Sequence, residues 1–227
     1  WRTPMVSHQQ LRWFRTTLLG RTPGWSPPAP AVGPWRDVWI EDRHGADLSD
    51  LQVIAEVTDG RGVLRVAGVV NSLGGEDPAG GRLTLRRGER TWSVPLTISG
   101  SPARLQATLA IDDPDLWWPH THGDPACYEA SIELEFAAGG TSVEAELGSV
   151  GFRTIELNTN GDAFSLRING EKVFCRGACW TPLDPTTLQT DESICAETLE
   201  QVRRAGMNMV RVGGTMVYES PMFYDLC

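Results

Sequence analysis

The chain has 227 residues and a formal net charge of −9 at pH 7. Hydrophobic residues make up 41% of it and charged residues 22%, a composition that excludes a disordered or fibrous protein and allows one large or two small domains. The acidic balance disfavours nucleic acid as a partner, because that binding depends on clustered lysine and arginine. Neither a membrane span nor a signal peptide is predicted, since no long apolar run or charged-then-apolar leader occurs.

The ends of the chain and its cysteines give two weaker expectations. The chain opens on Trp1 rather than Met and closes on Cys227 without a turn signal, so we expect an internal fragment of a longer protein. The odd number and irregular spacing of the cysteines favour free thiols and a reducing compartment, such as the cytoplasm. They are Cys127, Cys175, Cys179, Cys195 and Cys227.

The first forty residues are rich in tryptophan and proline. The proline-rich stretch at 23–30 cannot form a regular helix or a central strand. Between residues 35 and 41 large apolar and polar side chains alternate, which predicts the last strand of a preceding domain. Clustered tryptophans suit either a sugar-stacking platform or interdomain packing, and packing is the commoner use.

Seven short runs of alternating apolar and polar residues follow, several of them separated by Gly-Gly breaks. They lie at 51–57, 63–71, 82–87, 91–98, 104–111, 128–136 and 142–147. Strands at this spacing over about a hundred residues predict an immunoglobulin-like antiparallel β-sandwich with almost no helix.

The pattern changes after Gly151. Asn169-Gly170 stands between two short apolar runs and predicts a hairpin with a tight type I′ turn. A helix should then run from a cap at Asp191 to a stop at Gly206. Its predicted apolar face contains Ile194, Thr198, Leu199, Val202 and Ala205. The short run at 207–212 predicts a strand buried in a parallel sheet.

Six segments, in this order, resemble glycoside hydrolase family 2 and specifically its β-mannosidase-like branch. They are GPWRDV at 33–38, LWWP at 116–119 with Pro125 and Tyr128, GFRTI at 151–155, FSLRING at 164–170, RGACWTPLD at 176–184, and AGMNMVRVGG at 205–214 followed by Tyr218-Glu219 and Phe223-Tyr224-Asp225. The resemblance implies a mainly β chain: the end of a jelly-roll domain at 1–41, an immunoglobulin-like β-sandwich at 42–155, and at 156–227 a hairpin and the first elements of a TIM (β/α)8 barrel.

The resemblance also implies a retaining, exo-acting glycosidase whose carbohydrate substrates are terminal β-mannosides or related β-glycosides. Such a mechanism needs two carboxylates about 5 Å apart, one as acid/base and one as nucleophile. In the family both glutamates lie on later barrel strands, so no catalytic residue is assigned to this chain and the fragment is expected to be inactive. Glu219 receives no catalytic role and is interpreted as a solvated or structural carboxylate.

By resemblance, three residues are expected to form part of the glycone pocket, which binds the terminal sugar. Trp180 would offer a flat aromatic face, Asp184 an acceptor for vicinal hydroxyls, and Arg211 a positive donor. Each has a structural alternative that the residues leave open. Trp180 could anchor a core, Asp184 could cap the turn before Pro185, and Arg211 could belong to a buried ion pair.

Two departures from the family pattern bear on this pocket. Cys179 stands where the family usually has Asn, and Gly213 follows Val212 without the usual Trp between them. Both changes remove hydrogen-bonding or packing groups near the pocket, so they put substrate specificity and activity in question.

Other constellations do not predict a site. His120 and His122 could share a metal ion, but no third ligand lies at suitable spacing, and a polar loop is the better interpretation. No cofactor is predicted, and nothing in the sequence indicates an oligomeric state. A non-catalytic β-sandwich module that binds carbohydrate or protein is the alternative function; it should bind its ligand by itself, whereas half of an enzyme pocket should not.

Overall fold

The computed structural model describes residues 17, 19–21, 26–31, 33–73, 78–136, 142–159, 164–214 and 216–227. The chain forms two compact units, one of Trp1–Ile40 with Cys175–Cys227 and the other of Glu41–Phe174. The domain division inferred from the sequence, with boundaries after residues 41 and 155, stays a prediction. Within the described ranges, no helix is both long enough and apolar enough to cross a bilayer.

The Glu41–Phe174 unit contains an antiparallel sandwich of two four-stranded sheets, which confirms the mainly β class and the sandwich predicted from the sequence. In the order of their hydrogen-bonded neighbours, the first sheet contains β1 (Ala46–Thr58), β2 (Arg61–Ser72), β6 (Ala103–Ile111) and β5 (Thr97–Ser99). The second contains β4 (Arg90–Pro95), β3 (Gly80–Arg87), β7 (Tyr128–Glu135) and β8 (Ser142–Val150).

The core of the sandwich forms because each sheet turns alternate side chains inward. Leu64 and Val66 on β2 are fully buried, as are Leu83 and Leu85 on β3. At the centre Tyr128 packs edge-on against Phe152 with ring centroids 5.0 Å apart, and its hydroxyl accepts a hydrogen bond of 2.8 Å from the Asp115 amide. The period-two pattern seen in the sequence therefore does set which residues are buried here.

One predicted strand is divided between the two sheets. The run at 91–98 becomes β4, which pairs with β3, and β5, which pairs with β6. The break falls at Pro95 and Leu96; proline has no amide hydrogen to continue the ladder. The Leu96 amide donates instead to the Gly81 carbonyl at 2.9 Å, and its side chain is buried. The chain thereby crosses from one sheet to the other without exposing an apolar residue.

A three-stranded antiparallel sheet completes this unit, made of β9 (Ile155–Asn158), β10 (Ser165–Ile168) and β11 (Glu171–Val173). Asn169 and Gly170 have φ angles of 50° and 80°, which confirms the predicted type I′ turn because both central residues of that turn need positive φ.

The Asn169 side chain also ties this hairpin to the LWWP segment. Its amide nitrogen donates to the Trp117 carbonyl at 3.0 Å, and its amide oxygen accepts from the Thr154 amide at 2.9 Å. The Trp117 amide in turn donates to the Phe152 carbonyl at 2.9 Å. Three segments that are distant in sequence are therefore joined at one place by hydrogen bonds.

The other unit contains a strand–helix–strand arrangement. Strand β12 (Gly177–Trp180) and strand β13 (Met209–Val212) are parallel, and helix α1 (Glu192–Arg204) lies between them in sequence. A short helix α2 (Pro221–Leu226) follows. Asp191 occupies the predicted N-cap position, although its side chain makes no capping hydrogen bond, and Gly206, with φ of 71°, ends the helix as predicted.

Three predictions for this unit were wrong, two of them in part. On the apolar face predicted for α1, Leu199 and Val202 do pack on the core of this unit, but Ile194 is 52% exposed and Cys195 is buried instead. Strand β13 does pair in parallel, as predicted, but it is covered on one face only, where Val210 and Val212 pack on the core of this unit; no described element covers its other face. Residues 35–41 are not a strand, because no described residue pairs with them.

Truncation of a core side chain should destabilise the sandwich strongly. We expect Leu64→Ala to lower the free energy of unfolding by roughly 2–5 kcal/mol, because it removes apolar contacts and leaves a cavity. Ile54→Ala on neighbouring β1 is the matched control, since Ile54 is 50% exposed, and it should change stability by less than about 1 kcal/mol. Denaturant unfolding followed by tryptophan fluorescence measures both, and equal effects would contradict this account of the core.

The Asn169 side chain should stabilise the fold through its hydrogen bonds as well as through its turn conformation. We expect Asn169→Ala to lower the free energy of unfolding by roughly 1–3 kcal/mol, because it leaves the Thr154 amide and the Trp117 carbonyl without a partner. Lys172→Ala, on the exposed side of the same hairpin, should stay within about 0.5 kcal/mol of the parent chain. If the two variants unfolded at the same denaturant concentration, the link between hairpin and sandwich would carry no stability.

Candidate functional site

An open cleft of about 780 Å³ lies within the unit formed by Trp1–Ile40 and Cys175–Cys227. Three stretches of chain line it: residues 35–39, the loop and helix start within 180–195, and residues 218–223. Two of them leave the carboxyl ends of the parallel strands β12 and β13, which meet at one edge because the strands run in the same direction.

Trp180, the last residue of β12, lines this cleft and is buried. Its side chain is 7% exposed and its ring lies 5.0 Å from that of Phe223. The indole nitrogen donates a hydrogen bond of 2.8 Å to Oε1 of Glu219. This packing agrees with the core-anchor alternative for Trp180, while one side of the residue still lines the cleft. Glu219 is half-buried and serves as the acceptor that orients the indole.

Asp184 lies on the same cleft but its carboxylate is engaged by its own turn. Oδ1 accepts from the amides of Thr186 at 2.7 Å and Thr187 at 3.1 Å, and Oδ2 accepts from the Thr187 hydroxyl at 2.7 Å. The Thr187 hydroxyl, followed by the two amides, lowers the pKa of Asp184 below its ordinary value. The turn-capping alternative therefore describes these contacts, and the carboxylate is held ionised in a fixed orientation.

Arg211 is not brought to this cleft. It faces Cys179 across the parallel ladder, and its guanidinium lies 3.8 Å from the Cys179 sulfur. Both side chains are exposed, on the face of the strand pair opposite Val210 and Val212. The structure thus brings Trp180 and Asp184 to one cleft and places Arg211 elsewhere. Among the described residues Arg211 forms no ion pair.

Residues 35–39, here called the strap, were missed as part of the site by the sequence analysis. Arg36 donates from Nη2 to the Tyr218 carbonyl at 2.7 Å, and its guanidinium stacks 4.5 Å above the Trp35 ring. Gln189 donates from Nε2 to the Trp35 carbonyl at 2.9 Å. Contacts between positions 182 residues apart give no signal in the local sequence pattern. The density of tryptophan was the feature of the sequence that indicated a role for this segment.

The remaining candidates form no cluster. In the part of the chain that the structure describes, no three His, Cys, Asp or Glu side chains are placed to hold a metal ion. All five cysteines are free thiols. Burial raises the pKa of the Cys195 thiol, with a smaller contribution from the charge of Glu219, so this thiol is a poor nucleophile.

A family profile and several curated proteins match this chain in sequence. The sequence profile of glycosyl hydrolases family 2 matches residues 37–153. Beta-mannosidase B of Aspergillus flavus is 30% identical over 210 residues, which is 89% of this chain and 24% of that protein. Beta-mannosidase B of Neosartorya fischeri is 31% identical over 214 residues, with the same coverage of 89% and 24%. The chain therefore spans about a quarter of the length of these curated relatives.

Solved structures agree with the sequence comparison. A beta-D-mannosidase from Dictyoglomus thermophilum is 25% identical, with a TM-score of 0.66 over 81% of this chain and 23% of that one. A beta-glucuronidase from Parabacteroides merdae has a TM-score of 0.64 at 18% identity, over 81% and 23% of the two chains, and so shares the fold. Because the family profile matches half of its length, the chain belongs to glycosyl hydrolases family 2.

The fixed ionisation of Asp184 is testable by titration. We expect Thr187→Val to raise the pKa of Asp184 toward 3.8, because it removes the hydroxyl that stabilises the carboxylate. Thr186→Val, which keeps its amide, should raise it less. Since the folded pKa lies below the unfolded one, the turn gains stability above that unfolded value and loses it as pH falls through the folded pKa. Carbon-13 titration of the carboxyl measures the shift; identical pKa values in both variants would contradict this assignment.

Proposed function

We propose that the chain is part of a retaining, exo-acting glycoside hydrolase that hydrolyses terminal β-mannosides or related β-glycosides. In this proposal the chain supplies scaffold and part of the glycone pocket, and the catalytic glutamate pair lies on later strands. The observation that carries the proposal is the 30% identity to beta-mannosidase B over 89% of the chain. That coverage exceeds the sandwich unit, so the similarity extends into the unit that holds the cleft.

The strand–helix–strand arrangement supports a barrel as the setting of the site. A TIM barrel consists of parallel strands joined by helices that pack outside, and its active site lies at the carboxyl ends of the strands. We take β12 and β13 as its first two strands and α1 as the first outer helix. The cleft at the carboxyl end of β12 and β13 then lies on the catalytic face.

The same geometry suggests how Arg211 could take part although it does not line the cleft. Helix α1 packs on the face of the strands that carries Val210 and Val212. If barrel helices lie outside, the opposite face, with Arg211 and Cys179, is the barrel interior. A guanidinium there would be a fixed donor beneath a bound sugar, as the family resemblance implies. Because Cys179 stands where the family usually has Asn, Arg211 faces a thiol there, and sulfur accepts a hydrogen bond more weakly than an amide oxygen does.

The proposed roles of the cleft residues follow from their contacts. Trp180 shares the helix side of the strand pair with Val212 and would border the pocket from that side, held in place by Glu219 and Phe223. Asp184 would accept sugar hydroxyls with lone pairs that its turn does not use. Hydrolysis itself needs an acid/base and a nucleophile about 5 Å apart, and we assign neither to a carboxylate of this chain.

The parent protein, translated from the complete reading frame that contains this sequence, should hydrolyse an aryl β-mannoside. Asp184→Asn should lower kcat/KM by roughly a hundredfold, about 2.7 kcal/mol of transition-state binding. Glu197→Gln on the exposed side of α1 is the matched control and should leave kcat/KM unchanged. The 227-residue chain by itself should show no hydrolysis and no sugar binding by calorimetry.

Three results would count against the proposal. If the parent released no sugar from any aryl β-glycoside, the enzyme assignment would fail. If the chain by itself cleaved the substrate, the catalytic pair would not lie downstream. If the chain by itself bound a sugar without hydrolysis, the β-sandwich binding module would be the better description.

A further inference from the structure

Asn169 is followed by glycine, the sequence context in which asparagine loses its side-chain amide most readily. The reaction begins when the backbone nitrogen of the next residue attacks the side-chain carbonyl carbon, and glycine, which has no Cβ, obstructs that approach least. In this chain Asn169-Gly170 forms the turn between β10 and β11. The turn of the hairpin is therefore a candidate site of chemical modification.

The fold holds the Asn169 side chain away from this reaction. Its amide nitrogen donates to the Trp117 carbonyl at 3.0 Å, and its amide oxygen accepts from the Thr154 amide at 2.9 Å. The backbone amide of Asn169 donates to the Thr154 carbonyl at 3.1 Å. Attack requires the side-chain carbonyl carbon to turn toward the Gly170 nitrogen, so both side-chain hydrogen bonds must break first. The reaction therefore requires the hairpin to open at this junction.

We propose that Asn169-Gly170 is a deamidation site that reacts only when the hairpin opens, and that deamidation releases the hairpin from the LWWP segment. The Gly170 nitrogen forms a bond to Cγ of Asn169, the bond from Cγ to Nδ2 breaks, and the proton of the Gly170 nitrogen leaves with the amide as ammonia. Water then opens the cyclic imide at either carbonyl, which gives aspartate or isoaspartate. The reaction consumes water and needs no oxidant or cofactor.

Either product removes a contact at the junction. Aspartate has no hydrogen to donate, so a carboxylate oxygen takes the place of the nitrogen that now lies 3.0 Å from the Trp117 carbonyl oxygen, and two acceptors repel. Isoaspartate lengthens the backbone of a turn that closes tightly between Ile168 and Glu171. The Trp117 amide donates to the carbonyl of Phe152, which is fully buried in the sandwich. The modification thus acts where the hairpin meets the sandwich core.

The need for opening is tested by the rate of deamidation at residue 169 in the parent protein. Val173→Ala removes buried methyl groups from β11, where Val173 is 5% exposed, and should speed deamidation roughly tenfold by raising the open population. Lys172→Ala, on the exposed side of the same hairpin, is the matched control and should react at the parental rate. Equal rates in all three proteins would show that the closed hairpin reacts, and the proposal would be wrong.

Peptide mass spectrometry measures the loss of the amide. Cleavage after Arg167 separates Asn169 from Asn160-Gly161, the other Asn-Gly pair of the sequence. In denaturant all variants should deamidate at residue 169 at one rate, faster than the native parent; a native rate equal to it would also contradict the proposal. If Val173→Ala does not fold, Ile168→Val replaces it: Ile168 is 6% exposed, and this smaller truncation should speed the reaction roughly threefold. None of these rates depends on hydrolysis of a sugar.

Release of the hairpin is tested with Asn169→Asp, which reproduces the aspartate product. The amides of β10 and β11 should exchange their hydrogen roughly tenfold faster than in the parent protein, whereas those of β3 in the sandwich should keep the parental rate. Gln52→Glu makes the same change from amide to carboxylate at an exposed position of β1 and should leave both regions unchanged. Parental exchange of β10 and β11 in Asn169→Asp would show that the hairpin is not released.

Discussion

Parallel pairing of β12 with β13 is the constraint on which the candidate site depends. The strands approach so closely at their start that a Cβ added to Gly177 would overlap the Met209 carbonyl oxygen. The Asn208 side chain accepts a hydrogen bond of 2.9 Å from the Arg176 amide, and the Asn208 amide donates to the Arg176 carbonyl at 2.9 Å. These contacts fix the register, so that Trp180 and the segment after Val212 leave the sheet at one edge.

The polar side chains at that edge form hydrogen bonds with neighbouring groups of the chain. Glu219 accepts from the Trp180 indole, and Asp184 accepts three hydrogen bonds from its own turn. Contacts of this kind hold side chains in one orientation, and a site built from fixed groups binds with less loss of conformational entropy. Structural and functional interpretations of Trp180 and Asp184 are therefore compatible: the contacts that anchor each side chain also set what it presents to the cleft.

The sandwich unit shows the same use of short hydrogen-bonded connections. Asn169 meets the backbone of Trp117 and Thr154, and Trp117 meets Phe152, so that the hairpin and the end of the sandwich share one set of contacts. The motifs LWWP and GFRTI, which carry the family resemblance, coincide with this junction. These two motifs therefore have a structural role in the sandwich, separate from chemistry at the cleft.

The sequence by itself determined the features that depend on neighbouring residues. Alternation predicted the strands of the sandwich, Asn169-Gly170 predicted the hairpin turn, and Asp191 and Gly206 predicted the ends of α1, because φ preferences, capping and period-two burial act over a few residues. The motifs were sufficient to identify the family. They were also sufficient to propose Trp180 and Asp184, which the structure places on one cleft.

Only the tertiary structure decided the features that depend on distant partners. The division of residues 91–98 between two sheets, the burial of Cys195 rather than Ile194, and the position of Arg211 away from the cleft each depend on which surface lies opposite. The strap is the clearest case: its alternating pattern fits a strand, but no described strand pairs with it, and Arg36 joins it to Tyr218. Local pattern gives a side chain's preference for burial, whereas contacts across the chain decide what it is buried against.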